Sequence, residues 1–331
     1  MSSRTTRLTT AAALLAASLL AVTACSSGSP GGGGDNQTPG EPVAITVASL
    51  PTANLASVQL GAQQGFFTDE GLKVTIQNVQ SGSAMITGLL GGSFDFIASG
   101  YVPAFTAQSQ GLPLKFLAGN DTGADTPDKD WQIVVAGKGS SVKTPQDLAT
   151  ATVAVNALKG VAEVQVRASL EKQGIDDSKM KLTEIPFPEM PVALAQGRVD
   201  AALVPEPFVT AVLQAGGHVV DTPYVVMGKH FPNGAWETSQ QMIDQHPATV
   251  AAFTRAITKA VEYARDNPDA VRAIIPKYTS VAAEMANAIR LPVFSPDLNV
   301  DLMQELIGFT KKYGTLEKDL NAADLVYTPK S

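Results

Sequence analysis

The sequence predicts an α/β chain of two lobes, each a βαβαβ-based, mainly parallel sheet flanked by helices, with a cleft between the lobes. Three observations carry this reading. Beyond residue 42, β-branched alternating segments take turns with helical ones, the pattern of parallel strands joined by crossover helices. The pattern also runs twice. Gly88-Leu89-Leu90-Gly91-Gly92-Ser93-Phe94-Asp95 corresponds to Ala193-Leu194-Ala195-Gln196-Gly197-Arg198-Val199-Asp200, and Gly71 corresponds to Gly174. The offsets, 105 and 103 positions, are nearly constant over about 50 residues, which separates a repeated unit from chance matches. Finally, 44% hydrophobic and 17% charged residues suit a chain that buries much of itself.

The first 42 residues read as targeting and tether. Arg4 and Arg7 precede an apolar stretch at residues 11–22, too short for a bilayer core and right for a signal-peptide apolar region. Val22-Thr23-Ala24-Cys25, holding the only cysteine, resembles the lipobox cut by lipoprotein signal peptidase ahead of a diacylglyceryl-modified cysteine. The expectation is a signal peptide at 1–24 and acylation at Cys25. An ordinary secretory signal with a chance cysteine is the alternative. Residues 26–42 are mostly Gly, Ser and Pro without apolar periodicity, so 25–42 reads as a flexible tether. The expected location is the extracytoplasmic face of a membrane, held by lipid. No later segment approaches 18 consecutive apolar residues, and one cysteine allows no intramolecular disulfide. Net charge is −7, or −9 once Arg4 and Arg7 are removed with the leader, which argues against nucleic acid or anionic lipid as partner.

The elements follow in order. Strands are predicted at 45–49, 73–79 and 94–98, with helices at 56–67 and from Ser81 to Leu90. The second pass places strands at 151–155, 181–185 and 199–204, with helices at 161–173 and 191–196. Each first helix precedes a glycine, Gly71 or Gly174, and each second helix stops at Gly92 or Gly197. Between the passes, 113–118 is a strand and 131–136 crosses toward the second lobe. Thr144-Pro145-Gln146-Asp147 has the cap, proline and early acid of a helix start. Residues 224–228 lead back and 234–239 is a returning strand. Helices follow from His246-Pro247 to Asn267, at 280–290 and at 301–313. The expected division is lobe 1 at 43–137, lobe 2 at 138–228, and a return to lobe 1 at 229–331. Two crossings make a hinge that allows closure on a ligand.

Asp95 and Asp200 each stand three residues past a helix-stopping glycine, at a strand start. They read as turn acids that accept backbone N–H groups. Ligands on open α/β sheets bind beyond the carboxyl ends of strands. The loops expected at the cleft are therefore 49–54, 80–84 and 99–101 from one lobe, and 156–160, 186–190 and 205–207 from the other.

Four phrases follow one another in order: Gly65-Phe66-Phe67-Thr68-Asp69-Glu70-Gly71-Leu72-Lys73-Val74, Gly91-Gly92-Ser93-Phe94-Asp95, Gly111-Leu112-Pro113-Leu114-Lys115, and Val199-Asp200-Ala201-Ala202-Leu203 followed by Glu206-Pro207-Phe208. On these phrases, residues 43–331 resemble periplasmic substrate-binding proteins of ABC importers, in the sulfonate/nitrate/taurine and thiamine-precursor group. The resemblance implies a periplasmic-binding-protein type II fold, ligand capture outside the membrane, and delivery to a permease with its ATPase. It implies neither a cofactor nor an enzyme, and a monomer is expected.

The candidate contacts come from the cleft loops. Leu50 follows the first strand. Ser81, Gly82 and Ser83 open a helix whose unpaired N–H groups favour an anion, and an ordinary N-cap is the alternative. Ser99 and Gly100 end a strand where the backbone can approach a ligand. Tyr101 either stacks on that ligand or packs under the next helix. Asn156 and Lys159 follow the first strand of the second pass, and a solvated lysine is the bland reading of Lys159. Phe187 offers an apolar surface. Glu206 sits where many relatives carry an acid before proline, and Pro205 replaces their frequent tryptophan. It either faces the cleft or caps a helix. Trp236 either roofs the ligand or fills the core.

Enzymatic patterns are absent from the sequence. His218, His230 and His246 lack metal-ligand spacing, no G-x-S-x-G turn occurs, and the glycines at 31–34 precede no phosphate-binding turn. The expected ligand is a small organic molecule: a sulfonate, an aromatic carboxylate or a pyrimidine. No arginine falls in a cleft loop to grip a small hard anion. A surface lipoprotein enzyme or a ligand-presenting sensor on the same scaffold is the other functional reading.

Overall fold

The computed structural model describes residues 41–313 and 316–329. Cys25, the leader and the tether up to residue 40 lie outside the described residues.

The chain builds two sheets, each around the three parallel strands of one pass of the repeat. In the first, β1 (Val43–Ser49) is followed by α1 (Ala56–Gln63) and α2 (Phe66–Asp69), then by β2 (Leu72–Asn78), parallel to β1. A single helix is expected over 56–67; Gly65, at φ +80°, divides it. Next, α3 (Gly82–Leu90) leads to β3 (Phe96–Gly100), parallel to β1 on its other side. α4 (Tyr101–Ser109) then connects to β4 (Leu114–Thr122).

Residues 123–131 cross to the second sheet. It contains β5 (Gln132–Ala136), β6 (Thr152–Val155), α5 (Val161–Lys172), β7 (Lys181–Glu184) and α6 (Met190–Ala195). β8 (Ala201–Pro205), α7 (Phe208–Gln214), β9 (His218–Asp221) and α8 (Pro223–Met227) complete this half. The chain then returns to β10 (Pro232–Ser239), which inserts antiparallel between β3 and β4. α9 (Gln240–Gln245), α10 (Pro247–Asp266), α11 (Pro268–Tyr278), β11 (Val293–Phe294) and α12 (Val300–Lys312) follow. The six-stranded order is β11-β4-β10-β3-β1-β2 and the five-stranded order is β7-β6-β8-β5-β9.

Two expectations need correction. The lobe boundary at 137 puts β5 with the first lobe, yet β5 pairs antiparallel with β8 and β9, because its apolar face completes the second sheet. The chain therefore passes between the sheets before β5 and before β10, earlier than the strands themselves. The helix expected at 280–290 is only a 3₁₀ turn at Ala283–Ala288. Arg272 of α11 donates to the carbonyls of Ala286, Asn287 and Ile289 at 3.0, 3.3 and 2.6 Å, satisfying groups that a helix would bond internally.

The aspartate turn at the strand start is the same in both passes of the repeat. Thr46 N–H donates to Asp95 Oδ2 at 2.7 Å while Asp95 N–H returns to the Thr46 carbonyl at 2.9 Å. Thr152 and Asp200 make the same reciprocal pair at 2.8 and 2.9 Å. The helix-stopping glycines before them take φ +73° and +65°, values that a side chain rarely adopts. Each aspartate ties the start of one parallel strand to its neighbour, at the sheet end away from the cleft.

The amphipathic α10 covers the first sheet. Its Phe253 stacks on Phe96 with ring centroids 3.7 Å apart, and also meets Phe67 and Trp236. Burial of such aromatic faces supplies much of the stability of this half.

Candidate functional site

The carboxyl ends of β1, β3, β6 and β8 face a common, partly open cavity of about 70 Å³. Leu50, Gly82, Ser83, Ser99, Gly100, Asn156 and Phe187, all expected at the cleft, line it. So do Thr52, Asn54, Leu55, Asn120, Gln132, Gly160, Val161, Pro205 and Asn233. No lining residue among those described carries a charge.

Three helices begin at this cavity. Gly82 and Ser83 open α3, Gly100 caps α4, and Gly160 with Val161 opens α5. The first-turn N–H groups of a helix lack internal acceptors and sit at the positive end of its dipole. The cavity therefore offers backbone donors and partial positive charge without a cationic side chain. Leu50, Leu55, Val161 and Phe187 supply apolar surface beside them. Phe187 is held by its stack on Phe208, 6.3 Å between centroids.

The polar wall of the first sheet converges on Asp121. Asn54 and Asn120 donate Nδ2–H to Asp121 Oδ1 at 3.0 and 2.6 Å, and Asn233 donates to Oδ2 at 2.8 Å. Asp121 is buried with no ion-pair partner among the described residues. Burial pushes its carboxyl up to about 7, against the opposing pull of the three amides. Beside it, Ser99 Oγ donates to buried Glu237 at 2.6 Å. Desolvation raises the Glu237 carboxyl to about 8, and its Oε2 has no partner among the described residues.

Five expected contacts lie elsewhere. Ser81 is the α3 N-cap, its Oγ accepting Ala84 N–H at 3.3 Å, and does not line the cavity. Tyr101 is 1% exposed and packs against Phe105 and Phe116, because the first turn of α4 directs it beneath the helix. Trp236 is fully buried on the α10 face of the sheet, where Nε1–H donates to Asn120 Oδ1 at 3.1 Å. Lys159 is exposed, with its backbone N–H bound to Glu163 at 2.7 Å. Glu206 is buried and turned into the first turn of α7. It accepts Thr210 N–H and Oγ1–H at 3.0 and 2.9 Å and Arg290 N–H at 3.0 Å. Its capping alternative is the one realised, and burial lifts its carboxyl to about 7.

Sequence reasoning singles out none of Asn54, Asn120, Gln132 and Asn233. Asn54 stands within a cleft loop, but the other three sit on strands. The signal available is a polar run, Gly119-Asn120-Asp121-Thr122, at the end of an otherwise apolar strand, where a solvated loop is the ordinary reading. Among the described residues no cluster of His, Cys, Asp or Glu could hold a metal ion. No described helix is long and apolar enough to cross a membrane.

A two-sheet α/β scaffold with a neutral, amide-lined cavity between strand ends has the periplasmic-binding-protein type II fold. The chain belongs to the family described as NMT1/THI5 like, which matches residues 52–271. A stretch of 145 residues is 26% identical to the Escherichia coli K12 protein named "Putative aliphatic sulfonates-binding protein". That match covers 44% of each chain, so less than half the length of this relative is spanned. Among solved structures, the alkanesulfonate-binding protein SsuA from Xanthomonas axonopodis pv. citri, bound to MOPS, superposes with a TM-score of 0.72 at 18% identity. The superposition covers 87% of this chain and 99% of that one. The nitrate-binding protein NrtA from Synechocystis PCC 6803 gives 0.73 at 14% identity, over 86% and 85% of the two chains. At these identities the superpositions establish the fold alone.

Proposed function

We propose that this protein is the extracytoplasmic, lipid-anchored solute-binding component of an ABC importer, and that it captures a small organic molecule bearing an anionic or strongly accepting end. The carrying observation is that three helix N-termini and a row of side-chain amides meet at a cavity without a charged lining residue. Donors of this kind hold a sulfonate or carboxylate through backbone N–H groups, and they hold a pyrimidine through its ring nitrogens. The apolar patch of Leu50, Leu55, Val161 and Phe187 accommodates the organic body. A bare nitrate would leave that surface unused and would find no guanidinium.

In this reading the two halves, connected along the chain by residues 123–131 and 228–231, close about the ligand. Contacts from both sheets favour the closed form, so binding energy shifts the population. Acylation at Cys25 keeps the body near a permease and its ATPase. The likeness to sulfonate- and nitrate-binding proteins supports the same class of work.

The test is a thermal-shift screen of the purified protein against methanesulfonate, taurine, MOPS, benzoate, 4-aminopyrimidine and nitrate. A ligand at about 1,000 times its Kd adds about 4 kcal/mol and raises Tm by several degrees. A saturable shift with an organic member and none with nitrate is the expected result. A shift with nitrate alone overturns the ligand class, and turnover of a bound compound overturns the receptor reading.

A further inference from the structure

The amides that line the cavity are not free to choose which end they present. An ionised carboxylate only accepts hydrogen bonds, so above the pH near 7 to which burial raises Asp121 an asparagine beside it must turn its NH₂ inward. Asp121 imposes this on Asn54, Asn120 and Asn233 together, at 3.0, 2.6 and 2.8 Å. Their carbonyl oxygens are engaged as acceptors on the far side. Asn54 Oδ1 receives Thr52 Oγ1–H at 2.7 Å. Asn120 Oδ1 receives Ser57 Oγ–H and Trp236 Nε1–H at 2.6 and 3.1 Å. Asn233 Oδ1 receives Tyr224 O–H.

The NH₂ groups then differ in what they have left. Asn120 spends both hydrogens, one on Asp121 and one on the Asn54 carbonyl at 2.9 Å. Asn54 and Asn233 each spend one on Asp121, and both residues line the cavity. The second hydrogen of each has no acceptor among the described residues.

We infer that Asp121 is a positioning residue of the binding site: it locks the orientation of Asn54 and Asn233 so that each presents one N–H donor to the ligand. This rests on the cavity being the ligand site and adds a requirement to it. The end of the ligand that meets this wall must accept two hydrogen bonds, as a sulfonate or carboxylate oxygen pair, a carbonyl or a ring-nitrogen face does. A ligand that offers only donors there meets two N–H groups and is rejected.

The deciding experiment needs no ligand. In ¹⁵N,¹³C-labelled wild-type protein, through-hydrogen-bond scalar couplings should connect Nδ2 of Asn54, Asn120 and Asn233 to Cγ of Asp121. Absence of these couplings, with the three side-chain amides exchanging as fast as exposed ones, overturns the inference. It leaves the receptor reading intact. A second arm uses the tightest binder from the panel above. Asp121→Asn should weaken it at least tenfold, and Asn54→Ala should weaken it far less in the Asp121→Asn background than in wild type. Additive losses would mean that Asp121 acts on stability alone, and would overturn the positioning role. If the whole panel fails to bind, the ligand reading fails while the coupling measurement still decides the role of Asp121.

Discussion

The buried carboxylate of Glu206 accepts the backbone N–H of Arg290 at 3.0 Å, joining the end of β8 in the second sheet to the segment that leads into β11 of the first. The same junction is reinforced around it. Ala53 N–H donates to the Glu206 carbonyl at 2.9 Å, and the Arg290 guanidinium reaches the carbonyls of Asp130 and Pro127 at 3.2 and 3.4 Å. Glu206 is thus a latch between the halves.

Removing that latch should be costly. Glu206→Ala leaves the N–H groups of Thr210 and Arg290 buried without an acceptor and opens a small void. Urea unfolding should show a loss of about 2–4 kcal/mol. A change below 0.5 kcal/mol, of the size seen at exposed positions, would show that water takes over the role.

The acids buried around the cleft make stability depend on pH in an unusual direction. Asp121, Asp130 and Glu206 are raised to about 7 and Glu237 to about 8, each chiefly by burial. Each carboxyl is therefore easier to protonate in the folded chain than in the unfolded one. Their contribution is full below the ordinary carboxylate range and is lost as pH rises through 7 to 8. Tm should fall between pH 5.5 and 8.5, and Glu237→Gln, which cannot ionise, should flatten that slope. A Tm that rises across this window would refute the assignment.

The repeat predicts matched effects at distant sites. Asp95→Ala and Asp200→Ala each remove one carboxylate-to-amide bond at a strand start. Each should cost about 1–2 kcal/mol, and the double variant should match their sum within about 0.5 kcal/mol, because the sites sit in different sheets. Ligand affinity should not change, since both acids lie away from the cavity.

Gly100 sets how closely the halves approach. A methyl group there would lie 2.2 Å from Val161 Cγ2, across the cleft at the start of α5. Gly100→Ala should therefore hold the cleft apart and weaken binding of a panel ligand at least tenfold, and Val161→Ala should restore much of it. Small-angle scattering of the Gly100→Ala variant with ligand should match the ligand-free form. Unchanged affinity would mean that the approach is not part of binding.

Much of this molecule is legible along the chain because its signals are local. Alternating strands, helix-stopping glycines, the serine cap before α3 and the proline that opens α10 act within a few residues, and the near-constant offset from Asp95 to Asp200 reveals the doubled unit. The cleft loops follow from strand direction alone, so Leu50, Ser99, Asn156 and Phe187 can be found without coordinates. Which side chains those loops turn inward is another matter. Tyr101 and Trp236 look like ligand-stacking aromatics until the sheet order places both in the core. Asn54, Asn120, Asp121 and Asn233 come from three separate segments and meet only because β10 inserts between β3 and β4, pairing Gly234 with Gly100 and with Asp121. A strand's periodicity says which residues share a face. Only its neighbours, brought from more than a hundred positions away, decide whether that face looks at core, cavity or water.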